Sequence, residues 1–462
     1  MKTYQDFVKA KEKGLTIDFI TQAIKEYKSS DDYQVALIAD DYEAERNTTI
    51  MQFVKKLYNM DGSATPDFTA GNKRIASNFF HRLTTQRCAY SLGNGVSFAG
   101  AERKMVNGKQ VVEDTTKAAL GKNFDSVLYT AGHFALIHKV SYMFWNNDHA
   151  DYFKMTEFLP LYDENTGILM AGFRFWSLDW EKRPVTVIVY EEDGYEKYRT
   201  KKDSRGLDIE LYEPKRAYKQ DVAHNDVDPD EVIGESNYSA LPIIPLWGNK
   251  HRQSDLIGMR SKIDAYDLVK SGFADDVEEC AEIYWLVENA MGENDETLAK
   301  FRDRIKLNKI AVIDGTNSKV TPYTQEIPVN AKSTLLESLH DQIYEDYGAL
   351  DVHTIAAGAT NDHIDAAYQP MDEEADDFEY QIIECITGIL DILGIEDVPL
   401  FNRNRISNQK ERTEMVINAA QYLDDETILK KLPFITPDEI DGILMSKNQK
   451  DQDFVTTEDV EE

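Results

Sequence analysis

STLLESLHDQIYEDYGALDVHTIAAGATNDHIDAAYQPMDEEADDFEYQIIECITGILDILGIEDVPLFN (residues 333–402) runs 70 residues without a lysine or arginine, yet carries 17 aspartates and glutamates, from Glu337 to Asp397. At the frequency of the whole chain, 51 basic residues in 462, about eight would be expected in such a window. The stretch is also ordered. Leu335 or Leu336, Leu339, Ile343, Tyr347 and Leu350 recur at helical spacing, a Gly/Ala-rich segment follows at Ala356 to Ala359, and Phe378, Ile382, Ile386, Ile389 and Leu393 form a second stripe from Asp372 to the stop at Gly394. Affinity for phosphates is a property of Lys and Arg. Helices free of positive charge and interrupted by a segment of small residues are what a passage for a polyanion requires.

Upstream, Leu256, Met259, Ile263, Tyr266 and Phe273 fall on one helical face from Ser254 onward, about 20 residues or roughly 30 Å at 1.5 Å per residue. This helix matches the length of the one beginning near Asn330, so the two can pair as arms of a hairpin. Between them the pattern predicts a compact α/β insert, with helices around Asp276 to Ala290 and Asp295 to Arg304 and strands at Lys309 to Asp314 and Lys319 to Thr324.

The first 60 residues read as helical, with a further helix from Asn72 to Leu92 ended by Gly93-Asn94-Gly95 and another from Asp114 to Thr130. After Gly132 the period becomes alternating. His133 to Trp145, Thr156 to Tyr162, Ile168 to Leu178, Pro184 to Tyr190 and Tyr195 to Thr200 are rich in β-branched and aromatic residues and are separated by turn clusters, which predicts an antiparallel meander. Asp221 to Ser239 reads as a polar loop and Leu241 to Trp247 as an apolar extended run. Beyond Gly394, helices are expected over Ser407 to Tyr422 and Asp424 to Lys431, with a capping box at Thr436-Pro437-Asp438-Glu439 and an acidic tail from Asn448 expected to be disordered.

With 42% hydrophobic residues in 462, the chain can bury more than one core. A net charge of -32 argues against non-specific nucleic-acid affinity. Cys88, Cys280 and Cys385, an odd number without CxxC spacing, read as reduced thiols filling core. There is neither an apolar leader at the N-terminus nor a run of 18 apolar residues, so secretion and membrane spanning are not expected.

The chemical motifs are sparse. There is no phosphate loop, no GxGxxG, no HExxH and no CxxC, and no cofactor is implied. His353, His363 and Asp365 are the cluster with metal-ligand types, and read more simply as solvated residues beside the glycine segment. Asp372, Glu373, Glu374, Asp376 and Asp377 could serve a two-metal nucleic-acid enzyme, but crowded carboxylates at a helix start are usually partners of the helix dipole. Lys300, Arg302, Arg304, Lys306 and Lys309 make a local basic patch, either a solvated helix face or a contact for an acidic partner. Phe173, Phe175, Trp176 and Trp180 lack the interleaved positive charge of a base-stacking platform and read as core.

Several phrases, in this order, resemble the portal (head-to-tail connector) proteins of tailed double-stranded-DNA bacteriophages of the long-tailed type. NKRIASNFFHRLTTQRCAYSLGNGVSF resembles the family's N-terminal helix and glycine turn, SKIDAYDLVKSGFADDVEE and TLLESLHDQIYEDYGALD its two stem helices, and QYLDDETILKKLPFITPDEID its C-terminal crown. The resemblance implies an α+β, elongated protomer with mainly helical wing and crown, an antiparallel β meander in the wing, a two-helix stem and a small α/β clip. The parts would be wing 1–253, stem helix 254–275, clip 276–328, second stem helix 329–351, tunnel loop 352–371, wing helix and linker 372–404, crown 405–447 and tail 448–462. Such proteins are not enzymes. They assemble as a dodecameric ring at one capsid vertex for DNA packaging, retention and ejection, docking the terminase large subunit and then a head-completion adaptor, and meeting major capsid and scaffold proteins. On that reading the chain is a virion component assembled in the host cytoplasm, and Thr354, Ala356, Ala357, Gly358, Ala359, Thr360, Asn361, Asp362 and His363 form the channel constriction. Lys332 would face the channel and the basic patch would dock terminase or adaptor. A different virion or scaffold protein is the alternative.

Overall fold

The structure, a computed structural model, describes residues 2–58, 62–67, 71–106, 109–176, 185–201, 207–223, 231–279, 284–288, 319–323, 328–355, 360–405, 409–432, 435, 440 and 442–444. It is a mixed α and β fold, and every strand pair among the described residues is antiparallel. The chain divides into two units, one of Met1–Arg46, Asn78–Arg260 and Ile343–Glu462, the other of Asn47–Ser77 and Ser261–Gln342.

The larger unit opens with α1 (Tyr4–Glu12), α2 (Thr16–Lys28) and α3 (Asp31–Glu43). Thr3 and Asp6 cap each other's backbone at the start of α1, satisfying two donors that the first turn leaves open. These helices cover one face of a five-stranded meander, β8 (Phe158–Tyr162), β9 (Leu169–Trp176), β10 (Thr186–Glu191), β11 (Gly194–Thr200) and β12 (Ile209–Arg216), with neighbours in sequence order. Alternation sorts the residues. Phe173 and Phe175 of β9, paired with Val189 and Val187 of β10, point toward the helices, where Phe173 meets Phe7 at 5.3 Å and Phe175 meets Tyr27 at 6.4 Å between ring centres. Each such buried ring contributes about 1.5–3 kcal/mol.

The opposite face meets a three-stranded sheet in the order β15 (Ile243–Trp247), β6 (Val140–Asn146), β7 (His149–Lys154). Tyr142 lies 4.5 Å from Phe158 and Phe153 lies 5.7 Å from Tyr190. Behind this sheet sit α5 (Phe79–Leu92), α7 (Phe124–His138) and the long helix α10 (Asn361–Leu393). They approach closely because Gly132 has no side chain: a Cβ there would lie 3.0 Å from Leu92 and 3.1 Å from Phe378. Cys88 and Cys385 are buried free thiols here, their pKa pushed up by burial, while Cys280 lies outside the described residues.

Three expectations for this unit change. The helix expected from Asp114 to Thr130 is divided, with one helix over Thr115–Leu120, Gly121 at φ +88°, and α7 from Phe124. His133 to Trp145 is not one strand: α7 runs to His138, Lys139 turns the chain at a positive φ of 95°, and β6 begins at Val140. A short apolar run does not separate a buried helix end from a strand. Asp221 to Ser239 is not a loop throughout, since β13 (Lys219–Ala223) pairs with β14 (Glu231–Ser236). Main-chain groups build that ladder and need no apolar side chains.

The second unit contains α4 (Thr48–Gln52), the hairpin of β1 (Lys56–Tyr58) and β2 (Ala64–Pro66), most of α8 (Leu256–Glu279) and of α9 (Val329–Tyr347), and the ladder of β16 (Tyr284–Glu288) with β17 (Lys319–Tyr323). A helix across Asp276 to Ala290 is excluded, because β16 occupies its second half. The strand expected at Lys309 to Asp314, the helix at Asp295 to Arg304 and the capping box at Thr436 lie outside the described residues.

The helix expected from Asn72 starts only at Phe79, and the reason is a polar strap. Lys73, Ile75 and Ser77 donate their backbone N–H to Asp275 Oδ1 (2.7 Å), Ser271 Oγ (3.0 Å) and Asp267 Oδ1 (3.0 Å). Alternate residues of an extended chain advance about 6.6 Å while every fourth residue of a helix advances about 6.0 Å, so the two repeats match over this length. Asn47 adds an amide bond to Asp267 Oδ2 at 2.8 Å and Lys55 an ion pair to Asp275 at 2.9 Å. Burial raises the Asp267 pKa, and the bonds from Asn47 and Ser77 oppose that rise. We expect Asp267→Ala, which leaves the Ser77 N–H and the Asn47 amide unpaired, to cost about 1–3 kcal/mol in denaturant unfolding, whereas Ser261→Ala at an exposed position of the same helix costs far less.

Candidate functional site

Within the charge-free window, the residues on either side of the Gly/Ala-rich segment are held in the larger unit. At its entrance α9 stops at Tyr347, and Gly348 takes φ +66° in a space with no room for a side chain, since a Cβ would meet Glu374 at 2.9 Å and the Pro370 carbonyl at 3.2 Å. Leu350 is then gripped twice by one side chain: Gln86 of α5 donates through Nε2 to its carbonyl (2.8 Å) and accepts its N–H through Oε1 (3.1 Å). Asp351 caps a short 3-10 turn at Val352–Thr354. At the exit Thr360 caps α10, accepting from the His363 N–H at 3.4 Å. Beneath both ends lies a small core of Tyr90, Leu350, Ile364, Tyr368, Met371 and Ala375, in which Tyr90 and Tyr368 stack at 5.7 Å.

Helix takes up the second half of the stretch Val352 to Met371 expected as a loop. Asn361, Asp362 and His363 are the first turn of α10, and the helix continues through Pro370 to Leu393. The crowded carboxylates suggested a helix start at Asp372, but the helix already passes through Pro370. That proline is exposed, and the stripe Ile364, Tyr368, Met371, Ala375 packs across it without a break. Ala356, Ala357, Gly358 and Ala359 lie outside the described residues, as do Lys300, Arg302, Arg304, Lys306 and Lys309.

The acidic helix borrows its cations from elsewhere. Arg87 of α5, 7% exposed, reaches Asp255 at 3.1 Å, Glu374 at 3.2 Å and the Tyr347 carbonyl at 2.6 Å, with its guanidinium 4.0 Å above the Tyr347 ring. Tyr347 closes the circuit by donating its hydroxyl to Asp255 Oδ2 at 2.7 Å. Arg403, the first basic residue after the charge-free window, binds Asp372 (3.0 Å), Glu379 (2.8 Å) and Asp376. Arg405 binds Asp372, Asp365 (3.3 Å) and the Tyr90 hydroxyl (2.8 Å). Burial and the hydrogen bond to Asp372 push the Tyr90 pKa up to about 12. Burial works against ionising Asp372, but the bonds from Arg405, Tyr90 and Arg403 hold its carboxyl below the usual value.

The carboxylates considered for a two-metal site, and Asp365 considered as a metal ligand, are thus partly consumed by arginines. Among the described residues no group of His, Cys, Asp and Glu is arranged to hold a metal ion. Lys332 is half-buried, with Nζ on Asp276 and 5.9 Å from the Phe273 ring centre. Sequence reasoning missed Arg87, Arg403 and Arg405. A lone arginine on the buried stripe of α5, and two arginines spaced i, i+2 just past the window, are the signals that could have found them. What stays exposed is acidic: Glu337, Asp341 and Glu345 stand at i, i+4 spacing along α9, an arrangement that disfavours a helix by self-repulsion.

The family model described as Phage portal protein, SPP1 Gp6-like, matches residues 22–453. The portal protein of Bacillus phage SPP1 is 23% identical over 465 residues, covering 90% of this chain and 86% of that protein. The portal protein of Clostridium phage phiCD119 is 26% identical over 216 residues, 45% of this chain, and the match spans 48% of that relative. A chain solved in the neck of a native GTA particle computed with C12 symmetry aligns over 78% of this chain and 90% of its own length, with a TM-score of 0.38 and 7% identity.

Two outcomes test the anchorage. Arg87→Met strands Asp255 and Glu374 and is expected to cost about 3–5 kcal/mol of stability, read by chemical denaturation. Asp372 titrates below its unfolded value, so its contribution is present above about pH 4 and is lost as pH falls through the depressed folded value. Hydrogen exchange over residues 361–379 should therefore accelerate in acid, and Arg405→Met should shrink that pH dependence.

Proposed function

Because the chain belongs to the phage portal protein family, SPP1 Gp6-like, we propose that it forms a dodecameric ring whose axial channel carries double-stranded DNA into the capsid during packaging, retains it, and releases it during infection. The portal family is structural, and this chain carries out no chemical step in that role. Its clip docks the terminase large subunit and later the head-completion adaptor, its wing meets capsid and scaffold proteins, and it is built into the virion after assembly in the host cytoplasm.

One observation carries this reading: the window 333–402 offers no lysine or arginine to a phosphate. DNA presents one charge per roughly 1.7 Å of its length, and each lysine or arginine that settled on a phosphate would hold the duplex in place. The exposed Glu337, Asp341 and Glu345 repel it instead. A conduit with such walls centres its cargo and lets it slide. Thr354 to His363 forms the constriction. Ile355 and Thr360 leave well-fastened ends, Ala356 to Ala359 supply small side chains for close approach, and Asn361 to His363 stand in the first turn of α10.

Deleting residues 356–359 is expected to leave rings intact by negative-stain microscopy and to lower packaged DNA in an in vitro packaging assay; wild-type packaging by the deletion would remove the loop from the mechanism. Asp341→Lys with Glu345→Lys should make the ring adhere to DNA, steepening the salt dependence of binding by about 0.9 for each phosphate neutralised, and packaging should slow as salt is lowered. Arg302→Glu with Arg304→Glu should weaken pull-down of terminase or adaptor without loss of rings.

A further inference from the structure

The five-stranded sheet carries a half-buried arginine with no ion-pair partner among the described residues. Arg174 of β9 stands on the face toward β6 and β7, between its ladder partners Phe158 and Ile188. Its guanidinium lies 4.2 Å from the Phe153 ring centre and 4.7 Å from that of Trp176, and its Nε is sealed from solvent with no hydrogen-bond partner. Among the described residues no carboxylate comes within ion-pair distance of it, in a chain with 83 acidic residues against 51 basic ones. A sealed N–H left without an acceptor is costly, and an acidic group that reached it would supply both the acceptor and the counter-charge.

Arg174 lines a cavity of about 230 Å³ together with Asn146, Asp151, Tyr190, Tyr195 and Lys197. The polar groups there are mainly donors. Burial pushes the Tyr190 phenol up to about 12 against the opposing effect of a hydrogen bond from Arg174, so it keeps its proton at neutral pH. Lys197 is shared with Glu213 at 3.0 Å. Asp151 is held by Asn146 at 3.2 Å and lies 3.5 Å from His149. Two aromatic rings fix the plane of the guanidinium fork, which is the geometry that matches the two oxygens of a carboxylate. A phosphate dianion is disfavoured because Asp151 shares the wall. The volume lies below the roughly 300–1,000 Å³ of drug-sized sites and suits the end of one acidic group.

We propose that this cavity is a binding site for a carboxylate, supplied by a small free acid or by an aspartate or glutamate side chain of a partner protein. Thermal unfolding of the full chain at constant ionic strength tests it, with acetate, phosphate or chloride as the anion, and with a capped glutamate peptide against its glutamine counterpart. Acetate should raise the apparent Tm saturably by a few degrees relative to chloride, and phosphate should not. The glutamate peptide acting at lower concentration than acetate identifies a side-chain occupant; acetate acting while the peptide does not identifies a free acid. Arg174→Lys keeps the charge but loses the fork, and should raise the half-saturating acetate concentration about tenfold. If Arg174→Lys folds poorly, Asn146→Ala at the rim should shift that concentration in the same direction. No carboxylate effect on the wild type, a phosphate effect equal to that of acetate, or an unchanged response in both variants would each overturn the proposal.

Discussion

A carboxylate packed against a fold has to meet a cation or give up its charge, and a 70-residue stretch with no lysine or arginine of its own can meet a permanent one only by borrowing it. Arg87, Arg403 and Arg405 are the loans that can be traced, and they are placed at the start of α10 and the end of α9 and nowhere along the exposed acids of α9. Where the chain is fastened, arginines neutralise the charge. The arrangement separates anchorage from the surface that the proposed cargo would meet. It also explains how a helix can open with Asp362, Asp365, Asp372, Glu373, Glu374, Asp376 and Asp377 and still pack closely on its other side, through Phe378, Ile382 and Ile386.

The neighbouring hydrogen bonds serve the same end by other means. Gln86 grips both backbone groups of Leu350, Gly348 makes room for Glu374, and Thr360 caps the next helix. Together with the Tyr90 and Tyr368 stack they fix the two ends of a short segment of alanine and glycine.

Much of this was legible in the sequence. The β meander announced itself through Phe173, Phe175, Val187 and Val189 at period two, and α8 and α9 through their apolar stripes. The phrases resembling portal proteins led to the family that the chain belongs to. What stayed hidden was long-range. Residues 72–78 carry helix formers and are nonetheless extended, because three polar side chains of α8 claim their backbone N–H groups. Asp372 looked like a helix start because its crowded carboxylates suit the positive end of a helix dipole, while the packing of Ile364, Tyr368 and Met371 that begins α10 earlier is tertiary. The arginine anchors were invisible for the same reason: Arg87 and Glu374 are far apart in sequence and adjacent in space.

The strap along α8 behaves like a vernier. Its two scales, an extended chain read every second residue and a helix read every fourth, differ by roughly 0.6 Å per division. Three divisions coincide within hydrogen-bond tolerance, and a longer strap would drift out of step. The mismatch thus gives the strap a natural length, and because only one setting brings Lys73, Ile75 and Ser77 opposite Asp275, Ser271 and Asp267 together, it also indexes where residues 47–77 sit along the helix.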